Sequence, residues 1–239
     1  MFIGRKITVL DVVDSTNEYI KQNQEKLVDG EVVCAKTQSS GRGRNQRQWV
    51  SDITGNLYAS FIIKNASWLE TPTHLPIFTA VVLRKAIEGE DIGFKWPNDI
   101  IASGAKLSGI LIESSGGIYI VGVGVNVVEA PMIPDVKTTS LAALYGKDSI
   151  KTSTEFLSRF IEEYNLGVRR YMNTGFAPFK AEWERFCVHL NKKVALSEGI
   201  DDNTQRTFVI FKGLDISGGA RVLGSDKQER TVYYGELNV

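Results

Sequence analysis

Apolar and β-branched residues fill positions 6–13 and stop at Asp14-Ser15-Thr16-Asn17-Glu18, which predicts a strand followed by a helix. Ser15 and Glu18 have the spacing of a capping box, and the helix is expected to run through Tyr19 and Ile20 toward Leu27. Asp29-Gly30 then turns the chain into a strand over 31–36. The stretch from Gln38 to Arg47 holds no apolar residue, so it cannot pack against a core and is expected as a loop. A β-rich alternating run predicts a strand over 56–64. Leu75, Phe78, Val81, Val82 and Ala86 recur at helical spacing and predict a helix over 74–88. Strand patterns return at 92–96, 106–113 and 117–128, separated by short Gly, Asn and Asp turns.

Beyond residue 153 the period is helical again. Phe156, Phe160, Tyr164, Val168 and Tyr171 share a face, Gly175 closes that helix, and Pro178 suits the first turn of another helix to about 186. After Leu190 the texture changes to short strands at 193–196, 207–214, 220–223 and 230–234, joined by Gly and Asp turns. That predicts a small all-β module, the size of a minimal barrel. The expected organisation is an α/β (α+β) domain over 1–188 and an all-β domain over 189–239.

Composition narrows the function classes. The 239 residues carry 28 Lys plus Arg against 28 Asp plus Glu, so no bulk positive charge is available to coat nucleic acid or an anionic membrane. Hydrophobic residues at 43% and charged residues at 23% argue against wholesale disorder. Two widely separated cysteines and 2 histidines make a disulfide scaffold or a Cys/His metal centre improbable, so no metal-ligating set is assigned. No secretory leader and no membrane-length apolar run is visible, and a cytoplasmic location is expected.

Four stretches carry candidate chemistry. Gly41-Arg42-Gly43-Arg44-Asn45-Gln46-Arg47-Gln48-Trp49 places three guanidinium groups, which match phosphate oxygens bidentately, beside glycines that permit close backbone approach. A solvated basic loop fits the same composition. Lys95-Trp96-Pro97-Asn98-Asp99 reads as an extended segment and turn, since Pro97 keeps Trp96 out of helical geometry. Asn98 and Asp99 suit a sugar, a magnesium ion or a lysine, and they suit a plain turn equally. In Lys106-Leu107-Ser108-Gly109-Ile110-Leu111-Ile112-Glu113, alternation puts Lys106 and Ser108 on one face, with a lysine at the mouth of an apolar strand. Gly122-Val123-Gly124-Val125-Asn126 suggests a strand that a ligand approaches closely, or tight sheet packing.

In this order, with Asp14-Ser15-Thr16-Asn17 and Gln38, these motifs resemble the biotin protein ligase family, and the all-β tail is similar to that family's SH3-like C-terminal module. The resemblance implies a catalytic domain related to class II aminoacyl-tRNA synthetases, with a mixed sheet and flanking helices. It implies a two-step reaction: biotin and Mg·ATP (ATP and Mg2+) give biotinyl-5′-adenylate, whose acyl group passes to a lysine of a biotin carboxyl carrier protein. By resemblance Lys106, with Arg42 and Arg44, serves catalysis. Ser15, Thr16, Asn17, Gln38, Gly41, Arg42, Gly43, Arg44, Lys106 and Gly109 hold biotin, and Arg44, Arg47, Trp49, Lys95, Asn98, Asp99 and Asn126 hold the nucleotide. A homodimer through the catalytic sheet is a further implication.

Two departures stand out. The family loop usually continues Arg-Gly-Arg after its first four residues, whereas here Asn45-Gln46 removes a cation and a glycine before Arg47. The first strand begins almost at Met1, so a helix-turn-helix repressor domain is not expected. Alternatives are a lipoate ligase, a nucleic-acid module built on the arginine loop, and a degenerate adenylate-binding protein.

Overall fold

The computed structural model describes residues 2–89, 91–146, 152–198 and 206–238. Its apolar strands assemble first into a seven-stranded mixed sheet. Strands β1 (Ile7–Val13), β2 (Val32–Gln38), β3 (Leu57–Ile63), β4 (Ile92–Lys95), β5 (Asp99–Ala102), β6 (Ala105–Ser115) and β7 (Ile118–Val125) lie in the order β1-β2-β3-β7-β6-β5-β4. β1 and β2 run parallel around helix α1 (Thr16–Asn23), and the other neighbours are antiparallel.

Alternation along β3 creates two faces of different character. Leu57, Ala59, Phe61 and Ile63 point into a large core shared with α2 (Leu75–Ile87), α4 (Ser153–Thr174) and α5 (Ala177–Arg185). Its centre is aromatic: Phe61 meets Tyr164 edge-on at 4.8 Å, and Phe78 meets Tyr164 at 5.1 Å. Tyr58, Ser60 and Ile62 point the other way, opposite Gly124, Gly122 and Ile120 of β7. Ile62 and Ile120 join Ile20 of α1 and Val33 in a second, small core. Helix α1 has only eight residues. It packs on one end of this face, where Thr16 and Asn17 reach Ser60, and Tyr58, Ser60 and the glycines of β7 line a hollow beside it.

The second sheet is antiparallel, with β8 (Lys193–Ser197), β9 (Arg206–Leu214), β10 (Ala220–Leu223), β11 (Glu229–Val232) and β12 (Glu236–Asn238) in the order β11-β10-β9-β8-β12. Its apolar residues are continuous with the main core, and Phe211 packs edge-on against Trp183 at 6.2 Å. Residues 186–188 cap the outer edge of β4, where Phe94 N–H donates to Phe186 O and Val188 N–H to Phe94 O. The mixed α/β layer with a small C-terminal β sheet is the expected fold class.

Several local expectations need correction. Ser15 makes no side-chain cap bond and α1 ends at Asn23, because Glu18 turns toward Arg42 and Gln22 instead of back to the N-cap. Thr152 and Glu155 do form a reciprocal capping box on α4. Strand β5 was hidden in the turn signal: the Trp96–Pro97 bond is cis, and Lys95 pairs with Asp99 immediately across it. The short helix α3 (Leu141–Tyr145) and the three-residue β12 are too brief to leave a periodic signature.

Gly167 lets α4 approach α2. A Cβ there would overlap Val82 Cγ1 and lie 3.3 Å from the Phe78 ring. Val82 is β-branched and fully packed, so it has little freedom to yield. Gly167→Ala is therefore expected to lower stability by about 1 to 2 kcal/mol, because overpacking outweighs the gain in helix propensity. Urea unfolding measures this, and a neutral or stabilised variant would show that the two helices separate easily.

Candidate active site

The uncovered part of the α1 face is a cleft of about 760 Å³. The cleft brings together Ser15, Thr16, Asn17, Gln38, Arg42, Gly43, Arg44, Arg47, Trp49, Lys95, Asn98, Asp99, Lys106, Gly109 and Asn126. Gly41 does not face it. That residue lines a separate open depression of about 580 Å³ on the outer side of the arginine loop.

One end of the cleft is neutral and hydrogen-bonded. Gln38 Oε1 accepts from Thr16 N–H at 2.8 Å and from Thr16 Oγ1 at 3.1 Å, while Gln38 Nε2 donates to Ser51 Oγ at 2.8 Å. Thr16 Oγ1 lies 2.6 Å from Ser60 Oγ, which donates to Asn17 Oδ1 at 2.6 Å. Asn17 Nδ2 donates to Glu113 Oε2 at 2.8 Å. Thr16, Asn17, Ser51 and Ser60 are buried, and with the half-buried Gln38 they present mutually oriented donors and acceptors without net charge. The Glu113 carboxylate is paired with Arg42.

The arginine loop is not featureless. It folds into a short hairpin: Trp49 N–H donates to Gly41 O at 2.9 Å, Gly43 N–H to Arg47 O at 2.7 Å, and Arg42 pairs with Gln48. A Cβ on Gly41 would run into the Trp49 carbonyl and the Ser51 hydroxyl, so a glycine is required at the hairpin neck. Arg47 N–H donates to Arg44 O at 3.1 Å across a two-residue tip, Asn45 and Gln46, whose φ values are 53° and 60°. Two successive left-handed residues are the signature of a type I′ turn, which favours Asn-Gly. The Asn45-Gln46 departure thus builds the turn. Asn45 suits its position, and Gln46 sits where glycine costs less.

Cations gather at the other end. Lys106 Nζ is 2.8 Å from Asp99 Oδ1 and 5.4 Å from the Trp49 ring centroid. Lys95 Nζ donates to Asn238 Oδ1 at 2.7 Å, and Arg47 Nη1 to Glu236 Oε1 at 2.6 Å. Among the described residues Arg44 Nη1 has neutral partners, Gly235 O at 3.2 Å and Asn98 Oδ1 at 3.4 Å. Burial holds both Arg44 and Lys95 below their ordinary pKa values, with Glu236 and Asp99 pulling the other way.

Strand β6 departs from plain alternation. Ile101 pairs with Lys106 and Ile100 with Ser108, so a bulge falls at Leu107. Lys106 and Gly109, three apart, therefore both face the cleft. Ser108 instead donates to Gly124 O at 2.6 Å, which corrects the expected pairing of Lys106 with Ser108. Gly109 and Gly124 stand opposite each other and form the floor on which the Trp49 indole lies. The space these glycines leave is taken by a protein side chain.

These features have counterparts. A profile of the biotin/lipoate A/B protein ligase family matches residues 9–127. The biotin protein ligase of Aquifex aeolicus, solved in complex with biotin and ATP, superposes with a TM-score of 0.82 at 27% identity over 98% of each chain. The Escherichia coli bifunctional ligase/repressor BirA is 28% identical over 99% of this chain and 74% of its own length. The biotin--[acetyl-CoA-carboxylase] ligase of Paracoccus denitrificans is 28% identical over 88% of this chain and 91% of its own length. The chain belongs to the biotin protein ligase family.

Within this ligase several cleft residues had no sequence signal. Ser60 reads as one position in an apolar strand, and Glu113, which lines the outer depression and bonds to Asn17, as the end of one. Glu236 and Asn238 lie in a tail assigned to a separate module, yet they reach the cleft. His189 is 4% exposed with neither ring nitrogen bonded, and Trp49 Nε1 and Asn126 Oδ1 are also buried without a partner. All three residues line the cleft. His74, equally buried, has both nitrogens bonded, one to Tyr171 Oη and one to Ile216 O.

The hairpin tip predicts one variant. Gln46→Gly removes left-handed strain worth about 1 kcal/mol, so the biotinyl-adenylate off-rate is expected to fall about threefold to fivefold. Equal off-rates would show that the tip conformation does not limit ligand retention.

His189 predicts a pH dependence. Burial, then Lys95 and Lys192, push its pKa from 6.5 down to about 4. Between those values the unfolded chain binds a proton that the native one refuses, so stability falls as pH drops through that window, by up to about 3 kcal/mol. His189→Leu should flatten most of this slope in urea midpoints measured from pH 7 to 4. An unchanged slope would locate the titration elsewhere.

Proposed function

We infer that this chain is a biotin protein ligase: it activates biotin with ATP to biotinyl-5′-adenylate and transfers the biotinyl group to a carrier lysine. The observation that carries this reading is one cleft with two chemically different ends, one neutral and hydrogen-bonded and one that holds Lys106 among other cations. The neutral end suits an uncharged ureido ring, which needs donors and acceptors without net charge. The cationic end suits a triphosphate.

In the first step an oxygen of the biotin carboxylate attacks the α-phosphorus, and the bond to pyrophosphate breaks. Two anions must meet, so positive charge has to stand where they approach. Lys106 is the cation proposed to meet both, and leaving Asp99 for the carboxylate and α-phosphate would be an exchange of one anionic partner for another. Arg44 and Arg47 face the phosphates from the hairpin, with Lys95, Asn98 and Asp99 opposite, and Trp49 and Asn126 on the adenine and ribose side. Ser15, Thr16, Asn17 and Gln38 hold biotin, with the hairpin backbone at Arg42 and Gly43. In the second step the carrier lysine, as a neutral amine after losing a proton, attacks the acyl carbon, and the bond to AMP breaks.

Magnesium enters as part of the Mg·ATP substrate. Among the described residues no three His, Cys, Asp or Glu side chains cluster, and Asp99 and Glu236 stand in ion pairs. The phosphates would therefore provide most of the metal's ligands. The partner is a biotin carboxyl carrier protein or domain. A homodimer fits the outer edge of β1, which has no neighbouring strand among the described residues and exposes Val9 and Val12. A cytoplasmic location fits the two free cysteines, and no described helix is long and apolar enough to cross a membrane. We treat residues 1–188 as the catalytic domain and 189–239 as the SH3-like domain.

The test is biotin-dependent pyrophosphate release with ATP, alongside a mass shift on a carrier domain. Lys106→Ala is expected to slow adenylation by about 100-fold, the scale of losing one preorganised charge. Thermal unfolding of the variant separates chemistry from folding. Release that requires lipoate instead of biotin would overturn the substrate, and near-normal adenylation by the variant would remove Lys106 from the chemistry.

A further inference from the structure

Arg42 stands apart from the other cations of the hairpin. Its Nη1 is 2.8 Å from Glu18 Oε2 on α1, and its Nη2 is 2.8 Å from Glu113 Oε1 on β6. With a carboxylate on each side, its charge is answered before any phosphate arrives. The hairpin leaves the sheet from β2, while Glu113 belongs to β6, and β3 and β7 lie between them. The contact therefore straps the hairpin across the open face. The second oxygen of Glu113 accepts from Asn17 Nδ2, and Asn17 continues through Ser60 to Thr16 and Gln38. One carboxylate thus belongs both to the wall of the neutral end and to the hairpin that lies over it.

We propose that Glu113, assisted by Glu18, is a positioning residue that clasps Arg42 and so fixes the arginine hairpin over the biotin end of the cleft. The physical case rests on what else could fix it. The hairpin has no apolar side chain before Trp49, so no hydrophobic contact sets its position. Half-exposed ion pairs add little to global stability, but they decide where a segment without apolar anchors sits. Arg44 and Arg47 tie the tip side of the hairpin to the last strand, and Arg42 ties its neck to α1 and β6. The clasp also divides labour among the arginines: Arg42 holds the hairpin, and Arg44 and Arg47 are left to face the nucleotide. What the hairpin retains rests on the ligase reading; that Glu113 holds it does not.

Two measurements on the full chain test this. The first is trypsin cleavage after Arg44 and Arg47 without any ligand. Glu113→Gln and Glu18→Gln are each expected to speed it about fivefold to tenfold, the effect of losing one charge-assisted bond, with the melting temperature nearly unchanged. The second is the biotinyl-adenylate off-rate, expected to rise by a similar factor in Glu113→Gln. In an Arg42→Gln background, Glu113→Gln should then add almost nothing, because the clasp is already open. Wild-type cleavage in both single variants would overturn the proposal. So would an undiminished effect of Glu113→Gln in the Arg42→Gln background, which would mean that Glu113 acts through Asn17 alone. A chain that binds no adenylate would overturn the ligase reading and leave the cleavage result to decide the clasp.

Discussion

The structure turns on incomplete coverage of one sheet face. β3 and β7 send large apolar side chains to the face that α2, α4 and α5 cover, and smaller or polar ones to the face beside α1. Eight residues of helix give Ile62 and Ile120 an apolar cover, whereas Tyr58, Ser60, Gly122 and Gly124 meet polar side chains and line the cleft. A sheet with one fully dressed face and one half-dressed face must place polar groups in the gap and satisfy them there. The Thr16-Gln38-Ser60-Asn17 network does so. It stiffens the floor and makes it selective for a neutral, hydrogen-bonding ligand.

The second consequence is electrostatic. Arg42, Arg44, Arg47, Lys95 and Lys106 stand at the cleft, and each finds a partner on another element. Arg42 reaches α1 and β6, and Lys106 reaches β5. Arg44, Arg47 and Lys95 reach the last residues of the chain at Gly235, Glu236 and Asn238. The terminal strand is therefore part of the cleft wall, because cations gathered for an anionic ligand repel one another until opposite charge or carbonyl oxygen stands near them. The small sheet contributes that function with three residues. This explains how a tail that reads as a separate module takes part in the site.

Much of this was legible in the sequence, and the failures have physical causes. The long elements could be read because their periodicity is imposed by burial: the Phe156-to-Tyr171 face of α4 is one example. Ser15, Lys95, Lys106 and the arginines stood out because such residues beside glycines or apolar strands are locally inconsistent. Glu113, Glu236 and His189 did not, since their meaning lies in contacts with residues far away in the chain. The hairpin was misread for a related reason. Absence of apolar residues excludes packing, but not backbone pairing, and the loss of a cation and a glycine at Asn45-Gln46 says nothing of the two-residue turn that these residues form. The bulge at Leu107 shows the same limit, since one extra residue reverses the facing that alternation assigns.

Among the cations, Arg44 and Lys95 differ in kind, since both are half-buried beside neutral partners. The other cations with an ionic partner must break a charge–charge contact before serving a phosphate, while Arg44 gives up only a carbonyl and an amide oxygen. Burial already disfavours its charged form, so an anion beside it would relieve a cost built into the free protein. Electrostatic preorganisation has this character: the unfavourable placement of a charge is borne by folding, and its benefit appears when the complementary charge develops. Arg42, answered on both sides by carboxylates, has no such reserve. The hairpin thus presents two arginines two residues apart with opposite electrostatic conditions, one suited to holding position and one to meeting a nucleotide.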